Sequence, residues 1–247
     1  MSNIKSNEQD LKKRGYVTKE QVKEYEGTPI NTLITMLHAT NPYKRTIAAK
    51  NLSTLDNQVV DELLNQLAKE KCLYTKIAIC ETLELGDLST ATKMIKYLGV
   101  IGKNQYIELP DKVSAKKSYP LPRDIIARSL GKMDSSVFPA LCNVLMTQDT
   151  IKIREVLDAI GFMVFYHREL SSEENQHIIY STMKKFHNDD IILWKCILCL
   201  SAFPSEETKR ILEGYVERNS IITTDHIFVK EAKRSLNLIG FSFRQKE

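Results

Sequence analysis

A chain of 247 residues with 43% hydrophobic and 27% charged side chains can bury a sizeable core. Nine glycines and seven prolines are too few for an all-β protein of this length, which needs a turn about every ten residues. The formal charge of +4, from 35 Lys and Arg against 31 Asp and Glu, falls short of the basicity of a dedicated nucleic-acid binder.

Residues 1–27 read as a polar arm with a short helix. The first 17 residues are of mixed charge, and the N-terminal stretch MSNIKSNEQDLKKRGY carries no apolar run of the kind found in a secretory leader. Thr18 and Gln21 have the spacing of a capping box, opening a helix to about Glu26. From Thr28 the helical period takes over: Ile30, Leu33, Ile34 and Leu37 share one face. Asn41 and Pro42 close that helix and start the next, over Tyr43–Leu52, with Ala48, Ala49 and Leu52 inward. A stripe at Val60, Leu63, Leu64 and Leu67 follows, then a helix over Leu73–Leu83, a turn at Leu85–Asp87 and a helix over Ala91–Leu98.

The period breaks at 99–123, a stretch with three prolines. A connection of that length inside a compact array is either functional or an excursion packed by its own Ile107, Leu109 and Val113. Helices resume at Arg123–Leu130, ended by Gly131, and at Ile151–Ile160, ended by Gly161. Two more are expected at Ile191–Phe203 and His226–Ile239, leaving a tail at 241–247. The glycines are expected to adopt the left-handed conformation that terminates a helix.

The helices repeat. Leu83 follows Leu52 by 31 positions, Ile160 follows Leu130 by 30, and Arg154–Gly161 matches Lys233–Gly240 at a distance of 79, about two repeats. Each copy carries an early basic residue, then small residues, then a leucine or isoleucine near a short acidic turn. Arg45 with Ala48, Ala49 and Leu52 fits, as do Lys76 with Ala78 and Leu83, and Arg123 with Ala127, Leu130 and Gly131. Arg154 with Ala159, Ile160 and Gly161, and Lys230 with Ala232 and Gly240, complete the set.

In these residues the stretch from about 28 to 240 resembles HEAT repeats of the short type known as PBS-lyase HEAT-like repeats. The resemblance implies an all-α fold, an α-solenoid of about six stacked antiparallel helix pairs (a HEAT/armadillo-like superhelix), with 28–240 as one domain. It implies a shape and no particular activity.

Chemical motifs are sparse. Cys196 and Cys199 form a C-x-x-C inside an apolar run, and no second pair completes a metal site. With Cys72, Cys80 and Cys142 they make five cysteines, an odd number that suits core thiols in a reducing compartment, so a cytoplasmic location is expected. His38, His167, His177, His187 and His226 share no face, and no phosphate-cradling glycine loop or serine-nucleophile motif occurs. Trp194, the single tryptophan, is expected in the core, with a groove lining as the alternative. No apolar run is long enough to span a membrane. No catalytic, cofactor-binding or metal-binding residue is assigned, no cofactor is expected, and the chain is expected not to be an enzyme.

A partner would lie along the second helices of the pairs, which line the concave face of such arrays. Their polar residues are acidic at first (Asp61 and Glu62), and basic residues dominate beyond: Lys93, Lys96, Lys184, Lys185, Lys209 and Arg210, together with the neutral Asn143, form the candidate partner-binding set. They suit an acidic peptide or protein surface, and an ordinary solvated helix face is the other reading. The expected function is a protein-interaction scaffold or adaptor. The alternatives are a nucleic-acid-binding or DNA-repair protein of the same architecture, or an accessory subunit of a modifying enzyme.

Overall fold

The computed structural model describes residues 7–217 and 225–244, with 66% of the chain helical and no strand among the described residues. The chain forms two compact units, Met1–Lys96 and Tyr97–Glu247.

The helix starts are set by short polar side chains that accept the first free amides. Asp56, Asp87, Asp124, Asp149 and Asp189 each take an amide three residues on, and Thr18 and Gln21 form the expected capping box. The acidic residues of the repeat turns are thus N-caps.

The first unit holds α1 (Glu8–Lys13), α2 (Lys19–Lys23), α3 (Ile30–Leu37), α4 (Pro42–Asn51), α5 (Asn57–Lys69), α6 (Leu73–Leu83) and α7 (Leu88–Ile95). Helix α4 packs on α6, α3 on α5, and α5 on α7, while α3 also meets α4 and α5 meets α6. Ile47, Ala48, Leu63, Leu64, Ile79 and Leu83 are fully buried at these seams.

The second unit holds α8 (Ile125–Leu130), α9 (Phe138–Leu145), α10 (Thr150–Tyr166), α11 (Glu173–Lys185), α12 (Asp190–Leu200), α13 (Glu206–Glu217) and α14 (Asp225–Arg244). Helices α8, α10, α12 and α14 touch in succession, and α9, α11 and α13 lie against α10, α12 and α14. Helix α12 has neighbours on several sides and buries almost its whole length, as a helix apolar all round must.

The early basic residues of the repeat have a shared task in two copies. Arg45 in α4 pairs with Glu70 just before α6, and Arg154 in α10 pairs with Asp189 at the start of α12. Each ties one helix to the beginning of its neighbour.

Several expectations are corrected. Residues 8–13, read as part of a polar arm, form α1 against α4. Neither Gly131 nor Gly161 ends a helix in the left-handed region: Gly131 has φ −66°, and Gly161 lies inside α10, which continues to Tyr166. Gly240 is likewise inside α14. At Gly131 and Gly161 smallness serves close approach instead. A Cβ on Gly131 would meet the Ala159 carbonyl at 3.2 Å, and one on Gly161 would collide with the Tyr119 ring. Positive φ is found at Gly15, Gly27, Gly99 and Gly102.

The 99–123 segment is anchored differently from the expectation. Ile107 is 87% exposed, and Leu109 and Val113 are only half-buried. Burial falls to Ile101 and Tyr119, with Tyr119 seated over Gly161. Arg234 of α14 fastens the segment from below, its guanidinium donating to the carbonyls of Ser114 (2.9 Å), Lys116 (3.3 Å) and Ser118 (2.9 Å).

Candidate functional site

The second unit has a hollow of about 600 Å³ where α11, α13 and α14 meet the start of α12. Its floor is apolar: Met183, Leu193, Ile211 and Phe228 line it, and Gly214 leaves open space where a side chain would stand. Its rim is basic, formed by exposed Lys184, His187 and Arg210. His187 is held by a hydrogen bond between its Nδ1 and the Lys184 carbonyl at 3.1 Å, and Lys184 itself is exposed. The helical period explains the composition, because residues three and four apart share one helix face. Tyr180, Met183, Lys184 and His187 follow at that spacing along and just past α11, and Arg210, Ile211 and Gly214 along α13, so apolar and basic side chains reach the same hollow.

Of the candidate partner-binding residues, Lys184 and Arg210 are therefore brought together around one opening. Lys185 lies beside them but is occupied, donating to the carbonyls of Met146 (3.3 Å) and Thr147 (2.7 Å) beyond the end of α9. Lys209 and Asn143 are exposed on α13 and α9 and do not line the hollow. Lys93 and Lys96 belong to the first unit. There the Lys93 ammonium is bound to Asp61 (2.6 Å) and the Asn57 carbonyl (2.8 Å), and Lys96 is exposed at the end of α7.

A second feature lies beneath the 99–123 segment. Lys195, in the middle of α12, is 0% exposed, and its Nζ sits 3.0 Å from both Glu155 Oε2 and Asp158 Oδ2 of α10. Next to it, the Trp194 indole N–H donates to Glu231 Oε2 at 3.1 Å, and Arg234 donates to Glu231 Oε1 at 3.1 Å. The Tyr106 ring of the crossing segment meets Trp194 edge to face at 4.8 Å and carries the Arg123 guanidinium at 4.3 Å. Burial pushes the Glu155 carboxyl up to about 7 against the pull of Lys195, and it raises Asp158 and Glu231 as well. Lys195 is desolvated too, but its two carboxylates outweigh that and hold its ammonium above the ordinary lysine value.

This cluster escaped the sequence reading, which found one tryptophan and no aromatic group around it. The signal was present as a lone lysine in the run IILWKCILCL, since a charge inside an all-apolar helix requires a buried partner. Its partners are remote in sequence, as is Tyr106 in the irregular segment.

The cysteine pair has no comparable setting. Cys196 and Cys199 are fully buried, and burial raises both thiols far above their ordinary value, which leaves little thiolate for redox chemistry or metal binding. Among the described residues no group of three or more His, Cys, Asp or Glu side chains is placed to hold a metal ion, and no helix is long and apolar enough to cross a membrane. The chain matches no family model, no curated protein and no solved structure.

Proposed function

We propose that the chain is a non-catalytic protein-interaction scaffold, built within each unit from HEAT-like helix pairs, and that the second unit takes an acidic peptide carrying an apolar anchor. The observation that carries this reading is the hollow between α11, α13 and α14, with its apolar floor and its rim of Lys184, His187 and Arg210. An apolar recess with the positive charges of Lys184 and Arg210 at its edge is suited to a side-chain anchor flanked by Asp or Glu: burial of the anchor supplies affinity, and the rim selects register and partner. The succession α8, α10, α12, α14, with α9, α11 and α13 on its other side, supports the repeat reading inside this unit.

The test is a peptide-display selection against the full chain, followed by anisotropy titration of the enriched peptides. Enrichment of acidic sequences with a Leu, Phe or Trp anchor is expected. Affinity should fall about tenfold or more in the Lys184→Glu, Arg210→Glu double variant, and comparably in Gly214→Leu, which fills the floor. Peptides that bind the charge-reversed protein equally well would overturn the reading. So would duplex DNA binding whose affinity collapses with added salt, which would transfer the function to nucleic acid.

A further inference from the structure

We infer that the cavity under the 99–123 segment is a binding site for a small zwitterion, a molecule with an ammonium or guanidinium group at one end and a carboxylate at the other. The cavity measures about 290 Å³, at the small end of ligand pockets, which fits a metabolite-sized molecule rather than a polymer. Asp158, Trp194 and Glu231 stand in its floor, from α10, α12 and α14, and Tyr106 lies in its wall.

The floor has a surplus of acid. Among the described residues, Glu155, Asp158 and Glu231 pair with two cations, Lys195 and Arg234. Asp124, the next buried carboxylate, is satisfied separately by the amides of Gly99 and Ala127 and the side chain of Gln105. Both oxygens of Glu231 accept hydrogen bonds, from Trp194 and Arg234. Both contacts of the Lys195 ammonium go to Glu155 Oε2 and Asp158 Oδ2. Two oxygens have no such contact, Glu155 Oε1 and Asp158 Oδ1, and the second is the fully buried one. Asp158 Oδ1 is buried with no hydrogen-bond partner, on a residue that is 5% exposed and lines the cavity. An unpaired buried carboxylate oxygen carries a desolvation penalty that a cationic donor would remove, and the nearby Tyr106 and Trp194 rings favour a cation electrostatically.

The mouth has the opposite sign. Lys112, Lys116 and Arg123 line it, all three exposed, and none forms an ion pair with a carboxylate among the described residues. A ligand cation at Asp158 and a ligand carboxylate at this rim satisfy both ends. A simple amine would have to cross the basic rim, and a simple acid would meet the acidic floor.

The indole resonance of the single tryptophan reports on this floor, because its N–H is the group bonded to Glu231. The experiment titrates the full ¹⁵N-labelled chain with lysine, arginine and 4-aminobutyrate, and with butylamine and butyrate as the separate halves. At least one zwitterion is expected to shift the Trp194 indole peak with saturation at about 1 mM or below, about tenfold tighter than either half. Asp158→Asn should weaken it about tenfold. Arg123→Ala, at the exposed mouth, should weaken it severalfold and provides the variant in which the buried floor is untouched. The Lys184→Glu, Arg210→Glu protein should bind it as the parent does, which separates this site from the peptide hollow. No shift with any zwitterion, equal binding of a half-molecule, or indifference to both Asp158→Asn and Arg123→Ala would overturn the inference.

Discussion

Each unit buries a cation against carboxylate, and the two sites are opposites. In the first unit, Glu70 faces the Arg45 guanidinium through two bonds, Nε to Oε2 at 2.7 Å and Nη2 to Oε1 at 2.8 Å. Gln66 and the amides of Lys71 and Cys72 supply the remaining donors, at 2.8–2.9 Å. Burial works to raise the Glu70 carboxyl, yet these donors together hold it down at about 2. In the second unit Lys195 must serve two acids at once, Asp158 Oδ1 is left unmet, and the Glu155 carboxyl rises to about 7. The sites also differ in depth, since the Arg45 side chain keeps 12% exposure and Lys195 has none. Depth and the supply of donors together decide whether a buried carboxylate is held ionised or pushed toward its neutral form.

The pH signs follow and are opposite. Glu70 has a folded value below its ordinary 4.5, so its stabilisation is present above pH 4.5 and is lost as pH falls toward about 2. Glu155 has a folded value above its ordinary 4.5, so it imposes no penalty below pH 4.5 and an increasing one as pH rises through about 7. Mild acid should therefore favour the second unit while leaving the Arg45–Glu70 pair intact.

The sharpest way to break this contrast is Lys195→Met, which strands two buried carboxylates. A loss of about 3–5 kcal/mol is expected at pH 8, read by urea titration of Trp194 fluorescence, which belongs to the second unit alone. The loss should shrink markedly at pH 5 and be largely recovered by adding Glu155→Gln and Asp158→Asn. A deficit independent of pH would remove the acid-surplus account.

Next in size is Glu70→Gln, expected to cost about 3 kcal/mol at neutral pH by circular dichroism in urea, because the Arg45 guanidinium loses the carboxylate it is paired with. It should also flatten the acid limb of stability between about pH 4.5 and 2. Smaller again is Gly161→Ala, expected to cost about 1–3 kcal/mol by overpacking against Tyr119, the residue that seats the segment over the second cluster. Tyr119→Phe, which deletes a buried hydroxyl lacking a partner, should be neutral or slightly stabilising in the same titration. If Gly161→Ala is silent, the segment is not seated as described.

Legibility differed along the chain for physical reasons. The capping box at Thr18 and Gln21 and the cap at Asn41 depend on residues within three positions, and both are present as the sequence indicates. The end of the helix Leu73–Leu83 was readable from the turn at Leu85–Asp87, while its start at Cys72 carries no side-chain cap. The end of α10 was not, because a glycine that stops a helix and one that admits a neighbouring ring look alike until the neighbour is known. Tyr119, which explains Gly161, lies 42 positions earlier in an aperiodic segment. The partner-binding set shows the same limit: charge placed Lys185 beside Lys184, and only the position of the Met146 and Thr147 carbonyls shows that Lys185 is occupied.

By itself the sequence determined that the chain is helical, where most helices begin and which of their faces are apolar, because those properties arise from backbone amides and neighbours within one turn. Tertiary structure alone decided which charges meet. Pairing of Lys195 with Glu155 joins residues 40 positions apart, and its strength depends on the water that α10, α12 and the 99–123 segment exclude together. That exclusion belongs to the packed unit and to none of its segments alone.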